Sequence, residues 1–248
     1  MLAINWFKYS APTTFYGLAG KLVPWFAGAS AILFVAGLYI GFFVAPTDAV
    51  QSEAYRIIFI HVPTSILSMF IYLVMAGYAA LGLIFNTRLS SMMATALAPT
   101  GALFTFIALW TGAFWGKPMW GAWWVWDARL TSMLILFFLY LGYIALWEAF
   151  DDPGRAGRAA AILALVGAIN LPVIKFSVDW WNTLHQPSSV LTMEGSKIDP
   201  SILWPLLVTA IGAEGYYVWM LCLRVRAEIL DRQARILRFS AAADRRAG

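Results

Sequence analysis

Apolar residues run almost unbroken through six stretches of this chain, and charged residues gather between them. Residues 22–45, 93–116 and 130–147 carry no charged side chain, and residues 57–84 carry a single histidine, His61. Residues 159–178 contain Lys175, and residues 201–223 contain Glu214. Each stretch is about the 20 residues that a helix needs to cross a bilayer. Pro99, Pro172 and Pro205 fall inside them, where membrane helices tolerate proline. The pattern predicts an all-α integral membrane protein: one polytopic domain over residues 1–248 with six transmembrane helices.

Composition supports this. The chain of 248 residues is 61% hydrophobic and 12% charged, against about 25% charged in a soluble domain, too few to build a water-facing surface. Residues 1–21, with Tyr9, Pro12 and Tyr16, hold no apolar run before Lys21, so no cleavable signal peptide is expected there. The first span is then expected to direct insertion. The one cysteine, Cys222, allows no disulfide, Cys-x-x-Cys or haem-attachment motif within the chain, and it reads as a packing residue.

Lys and Arg set the orientation. With the N-terminus in the cytoplasm, the inner segments hold Lys8, Lys21, Arg88, Arg155, Arg158 and the seven arginines of residues 224–248. The outer segments hold only Arg56, Lys117, Arg129 and Lys197. The positive-inside rule therefore predicts both termini inside. The basic stretch 224–248 reads as a cytoplasmic tail facing solvent or lipid headgroups rather than nucleic acid.

This topology puts the chain's unusual residues on one side. Trp115, Trp120, Trp123, Trp124 and Trp126 stand within twelve residues, before Asp127 and Arg129, in an outer loop over residues 115–131. Interfacial anchoring explains one or two tryptophans per span, not five. On a helix, Trp120, Trp123, Trp124 and Asp127 would share a face, so a short amphipathic element with an aromatic binding surface is expected. His61, near the outer end of span two, and His185, in the last outer loop just after Trp180 and Trp181, are the only histidines. Neutral imidazole is a common haem ligand. Two histidines beside a wide aromatic platform suit a flat, apolar ligand taking two axial nitrogens, and haem fits.

Its propionates would need cations. Arg56 lies about 7.5 Å before His61 along a helix, and Arg129 closes the tryptophan loop; either can meet a carboxylate in fork geometry. Arg129 could instead pair with Asp127 or snorkel. Lys117 is a weaker candidate, and Lys197 and Asp199 read as solvated. Lys175 is expected to snorkel outward and Glu214 to serve helix packing, outside the site.

The stretch WGKPMWGAWWVWDARLTS (residues 115–132) resembles the tryptophan-rich signature of the haem-handling proteins of cytochrome c maturation. YRIIFIHVP (55–63), DWWNTLHQPSS (179–189) and LWEAFDDPGRAGRAA (146–160) resemble segments of one family among them, CcmC. The resemblance covers nearly the whole chain and is least telling in the first 20 and last 25 residues. It implies an inner-membrane protein that holds haem b transiently at the periplasmic face, with His61 and His185 as axial ligands. The platform would comprise Trp115, Trp120, Trp123, Trp124, Trp126 and Asp127. Arg56 and Arg129 would meet propionates or a partner. The implied partners are the haem chaperone CcmE, the ATP-binding subunit CcmA, the membrane subunit CcmB and the small membrane peptide CcmD.

Physical chemistry agrees with a carrier. Each tryptophan ring can bury on the order of 200 Å², and at about 25 cal/mol per Å² several partial contacts suffice without strong iron ligation. Acid should weaken binding, because a protonated imidazole has no lone pair to give. Competing readings are an electron-transfer b-type cytochrome, disfavoured because His185 lies in a loop near Pro187; a haem lyase, disfavoured by short outer loops; and a channel or assembly subunit whose aromatics only anchor. No Walker motif is present, so nucleotide hydrolysis is expected from a partner.

Overall fold

In a computed structural model, residues 8, 10–181, 183–185 and 195–247 are described, with side chains through Arg235 and at Leu237. Tyr9, Pro187 and most of the stretch around them fall outside these residues. Seven α-helices follow in order: α1 (Pro12–Tyr39), α2 (Ile58–Phe85), α3 (Arg88–Trp120), α4 (Ala128–Glu148), α5 (Pro153–Gly167), α6 (Asn170–Trp180) and α7 (Pro200–Ala247). Among the described residues there is no β-strand. Six helical units are long and apolar enough to cross a membrane, with α5 and α6 together forming the fifth. This is the all-α, six-span architecture that the hydrophobic pattern predicts.

The fifth span is broken where the sequence predicts one continuous helix. Pro172 has no N–H, and its ring would collide with the carbonyl of Ala168. The chain tightens there: Ile169 N donates to Val166 O at 3.2 Å, and Leu171 N to Ala168 O at 3.1 Å. Asn170 opens α6 and donates its side-chain amide to Ser132 O on α4 at 2.8 Å. The break redirects packing: α5 lies against both α2 and α4, whereas α6 lies against α4.

The Trp-rich loop also differs from the expected amphipathic helix. Helix α3 continues through Trp120 and stops at Gly121, whose φ of 74° is a left-handed cap that suits glycine. Residues 122–127 are not helical. Asp127 then takes an extended backbone and caps α4, its carboxylate accepting from Leu130 N at 2.7 Å. Trp120 is therefore the last residue of α3, while Trp123, Trp124 and Trp126 project from irregular chain.

The stretch 224–248, expected as a tail beyond the sixth span, continues α7 as helix through Ala247. Its basic residues dock on neighbouring helix ends. The Arg226 guanidinium sits 4.4 Å from the Tyr16 ring centre and donates to the Tyr16 hydroxyl at 3.1 Å. Arg232 pairs with Glu228 at 2.6 Å and lies 4.8 Å from the ring centre of Trp147.

The core fills the space between α2, α3 and α4, where Ile71, Tyr72, Leu97, Leu136 and Tyr140 are fully buried. The Tyr140 hydroxyl donates to Ser68 O at 2.8 Å, satisfying its one strong polar atom in an apolar layer. Helix α1 attaches chiefly along α7. Small residues allow the close approach: a Cβ at Gly37 would lie 2.7 Å from the Thr209 backbone N, and one at Gly212 would lie 2.9 Å from Phe34 N. Ser30 bonds across the seam to Gly212 O at 2.9 Å. Such small-residue contacts drive helix association in lipid, where apolar surface alone gives no preference. Gly37→Val should therefore lower the midpoint of thermal unfolding in detergent, at an overpacking cost of about 1–3 kcal/mol. Gly28→Val, with nothing within 4 Å of its Cβ, should leave it within a degree or two of the parent, on the scale of a neutral surface change.

Candidate ligand site

One cavity of about 560 Å³ opens at the end of the bundle that carries the tryptophan loop, within the size range of small-molecule and cofactor sites. Its walls come from α2, α3, α4 and α6, together with the loops before α2 and after α6. Both histidines line it. They lie 124 positions apart in sequence, yet their ring centres are 6.5 Å apart with the planes inclined by 34°. Two imidazoles on opposite sides of one metal, each with a bond of roughly 2 Å, would place their ring centres about 6 Å apart.

His61 sits in the first turns of α2 on a rigid wall. Its Nδ1 lies 3.0 Å from Thr111 Oγ1 on α3. The Thr111 hydroxyl spends its own proton on Ile107 O at 2.7 Å, so it accepts from His61. This assigns the proton to Nδ1 and leaves Nε2 an acceptor, with the Ser65 hydroxyl 3.5 Å away; such an outer hydrogen bond at Nδ1 is what orients a ligating imidazole. Gly112 permits the approach: a Cβ there would meet His61 Cε1 at 3.0 Å.

His185 is held by hydrogen bonding rather than by a helix. Its backbone N donates to Thr183 Oγ1 at 3.1 Å, and the Thr183 hydroxyl donates to the second carboxylate oxygen of Asp127. Asp127 thus performs two tasks, one oxygen capping α4 and the other fastening the His185 segment to the tryptophan loop. It is a bracing residue behind the wall and does not line the cavity.

The five tryptophans divide. Trp115, Trp120 and Trp124 line the cavity. Trp115 meets the His61 ring edge-on at 5.6 Å and is oriented by its indole N–H, which donates to Gln51 Oε1 at 2.9 Å. Trp120 lies 6.3 Å from His185. Trp124 buries its indole N–H with no hydrogen-bond partner among the described residues, an unmade bond that a ligand acceptor could complete. Trp123 is 52% exposed against Phe114, and Trp126 is 77% exposed; these two face outward, where aromatic rings anchor at a membrane interface.

The cations divide as well. Arg129 lines the cavity and makes no ion pair among the described residues, with the negative charges of Asp127 and Asp179 acting on it from outside the lining. Arg56 is committed to Glu53 and to Gly41 O, the latter at 2.7 Å. It lines a separate, shallower cavity of about 390 Å³ with Phe42, Trp110 and Phe114. The geometry therefore groups Arg129, not Arg56, with the histidines. Lys175, expected to point away from the site, stands in the cavity wall. The helix break explains it, because α6 is aimed separately from α5. Pro172 was the available signal.

Together the fold and the cavity define a class: polytopic α-helical membrane proteins with a two-imidazole, tryptophan-walled ligand chamber at one end of the bundle. Comparison with known proteins is more specific. The family model described as heme exporter protein C, CcmC, matches residues 5–240. A heme exporter protein C from Bradyrhizobium diazoefficiens is 56% identical over 227 residues, covering 91% of this chain and 86% of that protein. One from Escherichia coli K12 is 50% identical over 228 residues, 92% of each, and one from Rhodobacter capsulatus is 40% identical over 232 residues, 93% and 96% of the two chains. The chain belongs to the CcmC family.

Thr183→Val removes the Asp127 tether while leaving the cap of α4 intact. Amide hydrogen exchange should rise at residues 183–185 and stay unchanged in the first turn of α4. Asp127→Ala should raise both and lower stability by about 1 kcal/mol through the lost cap.

Proposed function

We propose that this protein binds haem at the periplasmic face of a bacterial inner membrane and presents it to the haem chaperone CcmE during cytochrome c maturation. The observation that carries the reading is the convergence of His61 and His185, from opposite ends of the sequence, on one aromatic-walled cavity. Relatives that share half or more of its residues are named heme exporter proteins, and the positive-inside bias puts the cavity outside. The iron would be held by His61 and His185. Trp115, Trp120 and Trp124 would cover the porphyrin faces, with the Trp124 N–H and the Arg129 guanidinium turned to its polar edge. The bound group is haem b, held without a covalent link and exchanged.

The chain acts as a carrier subunit rather than an enzyme. CcmA would hydrolyse ATP, with CcmB and CcmD completing the membrane complex. Arg56, packed beside the shallow outer groove, belongs in this reading with partner contacts rather than with propionates. Trp123 and Trp126 lie where a docking chaperone or the lipid interface would meet the loop.

The test is absorption spectroscopy of the detergent-purified protein with added haem, oxidised and reduced. His61→Ala and His185→Ala should each shift the Soret and visible bands, and the double variant should lose the six-coordinate spectrum. An unchanged spectrum in the double variant would remove the ligand assignment. Trp124→Ala should lower haem occupancy, whereas Trp126→Ala should leave occupancy near the parent's and act on transfer to the chaperone. Haem that cannot be exchanged or transferred would instead point to a resident b-type cytochrome.

A further inference from the structure

The cavity carries a charge pattern that the two histidines do not explain. Arg129 and Lys175 both line it, and among the described residues no carboxylate does. Neither cation makes a hydrogen bond or ion pair among the described residues, and the carboxylates whose charges reach Arg129, those of Asp127 and Asp179, stand outside the cavity lining.

The two come from different helices that line the same cavity. Two hydrogen bonds tie this part of α4 to α6 and its outer end: Ser132 O accepts from Asn170, and Asp127 accepts from Thr183. Arg129 lies in the chain between Asp127 and Ser132, and Lys175 lies between Asn170 and Thr183. Its neighbour Ile174 is fully buried and also lines the cavity, whereas Lys175 itself is exposed at the cavity wall.

We propose that Lys175 is a ligand-binding residue of this cavity, taking one carboxylate of the bound tetrapyrrole while Arg129 takes the other, so that the site selects a macrocycle with two free carboxylates. This rests on the haem reading above and adds to it a specificity determinant on α6. The apolar walls and the imidazoles hold the macrocycle and its metal, and they are indifferent to esterification. The two cations are not: a methyl ester removes both the negative charge and the charge-assisted hydrogen bond. An ammonium on a flexible stem reaches a carboxylate as a point charge, complementing the planar fork of the arginine.

The experiment is a pair of Soret titrations on the full-length protein in detergent, one with haem and one with haem dimethyl ester. The parent should bind haem more tightly than the diester. Lys175→Met should cut that preference by about tenfold or more, the value of one charge-assisted hydrogen bond, with diester affinity unchanged. Lys175→Arg should retain most of the preference. Comparing the ratio of the two affinities between variant and parent cancels differences in ligand partition into the micelle. An equal loss for both ligands would make Lys175 a structural residue, and an undiminished preference would place the carboxylate elsewhere; either overturns the assignment while the haem reading stands. No shift of the Soret band with either ligand in the parent would overturn both.

Discussion

Hydrocarbon supplies no hydrogen-bond partners, and this constraint shapes the whole chain. Every backbone N–H and C=O at membrane depth must be satisfied within the protein, which leaves helices as the building unit. Irregular backbone is admitted where it borders a polar cavity or reaches water. The irregular segments that build the site obey this rule. The non-helical stretch 122–127 and residues 183–185 lie together at the cavity end, joined by the Asp127 oxygen that accepts from Thr183. The break at residues 168–169 is rescued by short-range backbone bonds and by Asn170 reaching to α4. Polar chemistry is concentrated where the helices stop because it cannot be afforded where they run.

The same constraint explains what could be read from the sequence. Six spans were legible because uninterrupted apolar runs have no other stable use at that length. His61 and His185 were legible because ionisable groups are scarce in such a chain, and their shared side followed from counting Lys and Arg. The shape of the tryptophan loop was not. Trp120, Trp123, Trp124 and Asp127 have helical spacing, but Gly121 ends the helix one residue after Trp120, and a local cap overrides periodicity. The sixth helix was read as ending near residue 223 because apolarity ends there. It continues because Arg226 and Arg232 find aromatic rings on neighbouring helices, contacts invisible in a one-dimensional pattern.

Lys175 and Arg56 show the same limit from opposite directions. The expectation that its side chain snorkels outward put Lys175 outside the site, but Pro172 divides the span and α6 packs by its own rules. Proximity in sequence put Arg56 near His61, but the side chain is drawn away by Glu53 and the carbonyl of Gly41. Sequence spacing fixes where a backbone passes; competition among partners decides which way a long cationic side chain turns.

The two histidines are mounted differently. His61 is built into a helix, braced by Thr111 and crowded by Gly112. His185 stands on irregular chain, tied through the Thr183 hydroxyl to the Asp127 carboxylate. The chamber is therefore an anvil and a jaw: one face fixed by the bundle, the other closed by a latch of two hydrogen bonds. One side of the chamber can be loosened by changing a loop contact, the other only by parting two helices.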